Sequence, residues 1–265
     1  MRSIKFVLVK LVIFQCITLL VHAKDLDFYR LTLQQWNPAA CYNRIIGKCC
    51  NTTTGRPAED FGIAGLWPSY NNLTYPENCN KAGPYDETQV SFDKIQISDL
   101  LSSMQKNWPK ISCPSNNGTS LWAKEWKERG TCSRLNMHSY FETALDLKEK
   151  LNLIQDVKRY GTDLTHVHMH GLEPNGQFYH WRHINAAIKL AIGHVIAIEC
   201  NLGLTADSQF YRVHICVDKS GSDFIDCPIN LTEISETTCS SSTKWSGYDT
   251  DSVLEERSAY SWARK

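Results

Sequence analysis

The segment "SLWAKEWKERGTC", residues 120–132, sets charged side chains of opposite sign one helical turn apart. On a helix, Glu125 stands over Arg129 and Lys124 over Glu128, an order that makes each a favourable surface ion pair. Two chemistries fit that spacing. One is a salt-bridged amphipathic helix whose Trp122 and Trp126 form the core-facing stripe. The other is a phosphate-attracting patch, since arginine offers a forked array of donors and lysine a point charge. A second stretch, "THVHMHG", carries His166, His168 and His170 at alternate positions, with His180 and His183 following. On an extended chain the three share one face, a pattern that either ligates zinc or copper or belongs to a polar loop. Nothing in the spacing sets them beside Glu125, and no metal or cofactor is assigned from them.

These side chains need elements to hold them. Strand-like runs are "DFYRLTLQQW", "FGIAGLW", "HVIAIEC" and "QFYRVHICVD". In the last, Tyr211, Val213, Ile215 and Val217 alternate with Arg212, His214 and Cys216. Helical patterns cover "SDLLSSMQKNW", "SLWAKEWKERG", "SYFETALDLKEKLN" and "NAAIKLAIG", the second and fourth ending on a glycine that suits a left-handed cap. Strands and helices mixed without strict alternation predict an α+β fold. Cysteines run through nearly the whole length with no linker between them, which predicts one domain over residues 24–239. The tail over residues 240–265 is polar and lacks periodicity, and is predicted to be loosely attached.

The N-terminus has basic residues, a short apolar run and small residues at Val21 and Ala23, the pattern of a secretory signal peptide over residues 1–23. That run is shorter than a bilayer-spanning helix needs, and no later segment is apolar enough to span, so no membrane partner is expected of the mature chain. The 28 basic and 28 acidic residues balance. Loss of Arg2, Lys5 and Lys10 with the leader makes the mature chain slightly acidic, which excludes a global electrostatic footprint for nucleic acid. The 11 cysteines become an even set once Cys16 leaves. Without paired Cys-x-x-Cys spacings, that set predicts a disulfide framework rather than zinc. Sequons at Asn51, Asn72, Asn117 and Asn230 add candidate glycosylation sites. The expected destination is extracellular, or vacuolar after entry to the secretory pathway.

Three segments in order, "LTLQQWNPAAC", "FGIAGLWPSY" and "LWAKEWKERGTC", with Cys49 and Cys50 between the first two, resemble the secreted T2 ribonucleases, especially the plant S-like class. The likeness continues through "YPENC", "SDLLSSMQKNWP", "YFETALDLK", "NAAIKLAIG" and "ICVDKSGSDFIDCP". It implies a ribonuclease T2-like α+β fold with a central, mostly antiparallel sheet and helices packed around it. It also implies the pairs Cys41–Cys49, Cys50–Cys113, Cys79–Cys132, Cys200–Cys239 and Cys216–Cys227.

Active members of that family drive a ribose 2′-hydroxyl onto the neighbouring phosphate, which needs a proton acceptor on one side and a donor on the other; imidazole suits both. The resemblance puts one histidine before Gly-Leu-Trp-Pro and others in His-Glu-Trp-x-Lys-His-Gly-Thr-Cys. In this chain those places hold Ala64, Lys124 and Arg129, and Glu125 alone keeps its identity as a catalytic residue. Alanine has no transferable proton and a guanidinium stays protonated, so neither Ala64 nor Arg129 can be the base. By the same likeness Gln35 is a base-contacting glutamine, Leu121 replaces an aromatic stacking face, and Asn37 is inserted beside the Gln35 loop. Trp67 of "GLWP" belongs either to the substrate pocket or to the packing of the sheet.

Three functions remain open at this stage. The first is a secreted, inactive ribonuclease homologue, a plant storage or defence glycoprotein with residual RNA binding. The second is a weak RNA endonuclease that forms 2′,3′-cyclic phosphates with Glu125 and the local cations. The third is an RNA- or metal-binding module without turnover. The expected substrate-side residues are Gln35, Trp67, Lys124 and Arg129, and the expected partner is RNA or phosphate, weakly held.

Overall fold

The computed structural model describes residues 26–35, 52–54, 59–72, 74–79, 96–111, 117–163, 171–203 and 206–247. Strand β1 (Phe28–Gln35) pairs antiparallel with both β2 (Phe61–Ser69) and β5 (Ser208–Val217). β5 in turn carries β4 (Ala197–Leu202) and the short β6 (Phe224–Ile225), both antiparallel, and takes β7 (Thr243–Lys244) in parallel at Gln209. β7 also pairs with β3 (Phe178–Tyr179). The result is the expected α+β arrangement around a mostly antiparallel sheet.

Alternation along the strands sorts residues onto two faces. Leu31, Leu33, Leu66, Val213 and Ile215 point to one side. There they join the main core with residues from α1 (Leu101–Asn107), α2 (Thr119–Glu128), α3 (Met137–Glu149), α4 (Leu153–Asp163) and α5 (Trp181–Ile192). Trp108, Trp122, Tyr140 and Phe141 are fully buried in it. On the other side a smaller cluster of Phe28, Ala197, Cys216, Cys227 and Leu231 is covered by α6 (Ile229–Thr238). The rest of that second face is polar: Arg30, Thr32, Gln34, Arg212 and His214 stand in register across β1 and β5.

Disulfides join Cys79 to Cys132, Cys200 to Cys239 and Cys216 to Cys227, as the family resemblance implied. Cys41, Cys49, Cys50 and Cys113 lie outside the described residues, as do Asn51, the leader, Asn37 and the histidines at 166, 168 and 170. Of the two predicted glycine caps, Gly193 is left-handed with φ of 81° and closes α5. Gly130 is not. α2 ends before it, at Glu128, and Gly130 is buried in a 3-10 turn where a Cβ would run into the Trp126 ring.

The predicted loose tail begins too early. Residues 240–247 are part of the fold: Thr243 and Lys244 form β7, and Trp245 is fully buried among Phe210 and Tyr179, with ring centroids 5.3 and 6.3 Å away. The physical reason is that one large apolar side chain, docked by Trp245 N–H to the Gln177 carbonyl (2.9 Å), anchors an otherwise polar segment. The chain beyond 247 lies outside the described residues.

Candidate active site

The site grows from an irregularity in β2. Thr32 pairs with Gly65 and Leu33 with Ile63, so Ala64 is the extra residue of a β-bulge, a feature that re-aims the side chains that follow it. Gly65 and Trp67 then lie on the polar face, Trp67 directly opposite Arg30. A Cβ on Gly65 would land on Trp67 Nε1 and Glu125 Oε1, inside van der Waals contact, so only glycine lets these two groups meet over the strand.

The meeting is a hydrogen bond. Trp67 Nε1 donates to Glu125 Oε1 at 2.7 Å. The Tyr140 hydroxyl donates to the Leu66 carbonyl at 2.8 Å and lies 3.3 Å from the same carboxylate oxygen. Glu125 is therefore not the surface partner of Arg129 that helical spacing predicts. It is 9% exposed and turned inward, because the face of α2 that carries Trp122 also carries Glu125 against β2. Burial pushes its carboxyl up to about 7, although the Trp67 hydrogen bond, the Arg129 charge and the Tyr140 hydrogen bond pull it down. Arg129 instead pairs with Glu77 at 2.7 Å. The second predicted pair is present: Lys124 Nζ lies 3.9 Å from Glu128 on the exposed face of α2.

Trp67, expected either in the pocket or as sheet packing, is half-buried and lines the site. The guanidinium carbons of Arg30 and Arg129 lie 4.8 and 5.3 Å from its ring centroid. Tyr75 is a neighbouring ring, 6.5 Å from Trp67 and 4.0 Å from the Arg129 guanidinium. Burial lowers Arg30 to about 10; Tyr75 opposes this and the Arg129 charge adds to it.

Further across the same face His214 is fixed between two partners. It is almost fully buried, and burial lowers its pKa, so the neutral imidazole donates from Nε2 to Glu199 (3.1 Å) and accepts at Nδ1 from Thr32 (3.1 Å). Burial opposes charge on Glu199, but the His214 hydrogen bond and the Arg212 cation outweigh it and hold its carboxyl low. This imidazole is part of the sheet's polar packing.

The fold thus brings Glu125, Trp67 and Arg129 together and places Ala64 beside them in the bulge. Lys124 points away into solvent, where its side chain is 68% exposed. Gln35 ends β1, and its side chain lies outside the described residues. Leu121 packs against the main core. Sequence reasoning missed Arg30, Tyr75, Glu77 and Tyr140. Gly65 was the available signal, since a glycine inside a strand marks a close approach.

The ribonuclease T2 family model matches residues 26–227, and the chain belongs to that family. It is 45% identical to the extracellular ribonuclease LE of Solanum lycopersicum over 225 residues, which covers 84% of this chain and 89% of that one. The crystal structure of RNase NT in complex with 5′-AMP superposes with a TM-score of 0.69 at 38% identity, covering 85% of this chain and all of that one. A ribonuclease-like storage protein of Panax ginseng is 27% identical, with 73% of this chain and 72% of that one covered.

Glu125 gives the site a pH signature. Its carboxyl moves from an ordinary 4.5 to about 7 on folding, so between those values the unfolded chain surrenders this proton first. The stability it contributes is fully present below pH 4.5 and is lost as pH rises through 7, a total of about 3 kcal/mol. Glu125→Gln removes the effect. Denaturant melts at pH 4 and pH 8 are expected to show the variant gaining on the natural protein by about that amount at the higher pH; parallel profiles would contradict the buried carboxyl.

Proposed function

We propose that this chain is a ribonuclease T2 homologue that holds RNA weakly without cutting it by the family's two-histidine route. It serves, in this reading, as a secreted plant storage or defence glycoprotein. The observation that carries the proposal is the set of groups around Glu125. Trp67 and Tyr140 lie within hydrogen-bond distance of it, the Arg129 charge acts on it, and Arg30 lies over the Trp67 ring; none of them can exchange a proton near neutral pH as imidazole does. The described histidine on that sheet face, His214, is already held by Thr32 and Glu199. Likeness to a storage protein supports the storage role, and likeness to an extracellular ribonuclease supports secretion. Among the described residues no helix is long and apolar enough to cross a membrane. Asn72, Asn117 and Asn230 are exposed, as glycan attachment requires.

One observation favours a second reading, a slow nuclease: Glu125 titrates near 7 and so sits where a general acid works. Protein in excess over end-labelled RNA separates the two. The first reading expects RNA to be retained, more weakly as salt rises, and to stay whole. Cyclic-phosphate fragments that vanish in Glu125→Gln would establish the second.

A further inference from the structure

Two guanidinium groups on the polar face, those of Arg30 and Arg129, share one pair of aromatic rings. Arg30 is 7% exposed, and Arg129 is 12% exposed in its side chain. Both lie over the same pair of rings, Arg30 at 4.8 Å from Trp67 and 5.8 Å from Tyr75, Arg129 at 5.3 and 4.0 Å. Like charges gathered in a low-dielectric setting repel strongly, and the lowered pKa of Arg30 registers the burial and its neighbour together. The rings attract the two cations but accept no directional N–H hydrogen bond of the kind an oxygen acceptor would, so the guanidinium N–H groups still call for acceptors. Those edges are under-used. Among the described residues Arg30 Nε and Arg129 Nη1 are buried donors without an acceptor. Among the described residues the salt bridge of this couple runs from Arg129 to Glu77. Glu77 stands on the segment between Tyr75 and Cys79, which the Cys79–Cys132 bridge ties to the 3-10 turn after α2, and its own side chain is 48% exposed.

Buried cationic donors without acceptors are costly, and an anion with enough oxygens to serve both forks relieves that cost. We propose that Arg30 and Arg129, stacked on Trp67 and Tyr75, form a binding site for a phosphate group, with Glu77 as a resident carboxylate that the phosphate displaces. A carboxylate has two oxygens and answers one arginine; the several oxygens of a phosphate answer two. The half-exposed Glu77 swings into solvent at little cost, whereas both arginines stay fixed by their rings. The site rests on the reading of phosphate-bearing ligands held without turnover and adds what that reading lacks: Arg30, which the family likeness gives no role, and a counter-ion supplied by the chain itself.

Calorimetric titration of the full mature chain with inorganic phosphate, 5′-AMP and adenosine tests the site and separates free phosphate from a nucleotide as the source. Phosphate and 5′-AMP are expected to bind and to compete with each other, with adenosine competing with neither. Glu77→Gln removes the internal competitor and is expected to tighten phosphate about tenfold. Arg30→Lys keeps the charge and the stem but loses Nε and the fork, and is expected to weaken phosphate at least tenfold at an unchanged melting temperature. Should Arg30→Lys fail to fold, Glu77→Gln decides alone, because Glu77 lies at the surface. An unchanged phosphate affinity in Glu77→Gln, or natural affinity in a folded Arg30→Lys, overturns the site. If whole RNA still binds while phosphate does not, the subsite is wrong and the RNA-holding reading stands. If phosphate binds as described while RNA is rapidly cut, the subsite stands and the reading without turnover falls.

Discussion

Ala64→His combined with Arg129→His is expected to raise RNA cleavage by roughly 10²-fold or more over the natural protein, the scale of one well-placed acid or base. The expectation rests on position. Ala64 is the bulge residue next to Gly65, and Gly65 is pressed against Glu125. Arg129 caps the helix that carries Glu125. Imidazoles at both places would flank the Glu125 carboxyl, which burial brings to about 7. Either histidine alone is expected to recover little, since groups that act as a unit are not additive. Adding Lys124→His and Glu128→Lys is a second step of smaller effect, because Lys124 faces solvent. Release of acid-soluble nucleotide from bulk RNA at mildly acidic pH measures the series. A folded fourfold variant with no gain would show that the pocket itself has drifted, with the Asn37 insertion and Leu121 the first residues to examine.

Trp245→Ala is expected to destabilise the fold by about 3–5 kcal/mol, the cost of emptying a buried tryptophan site. At this chain length that lowers the melting temperature by roughly 10 °C. The residue is fully buried against Phe210 and Tyr179, and its carbonyl accepts from Gly176 N–H at 2.8 Å. Deleting everything after Cys239 should cost at least as much, because β7 and its pairing with β3 are lost as well. An unaltered thermal melt of Trp245→Ala would contradict the placement of 240–247 in the core.

The strands were legible because alternation is a local property. Arg30, Thr32 and Gln34 against Leu31 and Leu33 already divides β1 into its two faces. What alternation does not reveal is whether a polar face meets water or another element. Arg30 and His214 stand on the polar side of their strands and are buried. The same limit applies to α2. Helical spacing set Glu125 over Arg129 as surface partners, but the partners that decide the site, Trp67 and Tyr140, come from 58 and 15 residues away in sequence. Lys124 and Glu128 lie 3.9 Å apart as their spacing predicts, with the Lys124 side chain 68% exposed. Trp245 escaped notice for the opposite reason. A single apolar residue in a polar run has no period to detect, yet one tryptophan suffices to pin a short segment to a core. The bulge at Ala64 leaves no periodic trace either, and only the adjacent glycine hints at it.

In the proposed function RNA is held at this site without being cut. The most direct measurement places the natural protein in excess over end-labelled RNA at mildly acidic pH and follows bound and cleaved fractions in the same samples. The expected result is a bound fraction that falls with added salt and no fragments ending in a 2′,3′-cyclic phosphate over the background of buffer alone. Fragments appearing as fast as the complex forms would contradict it.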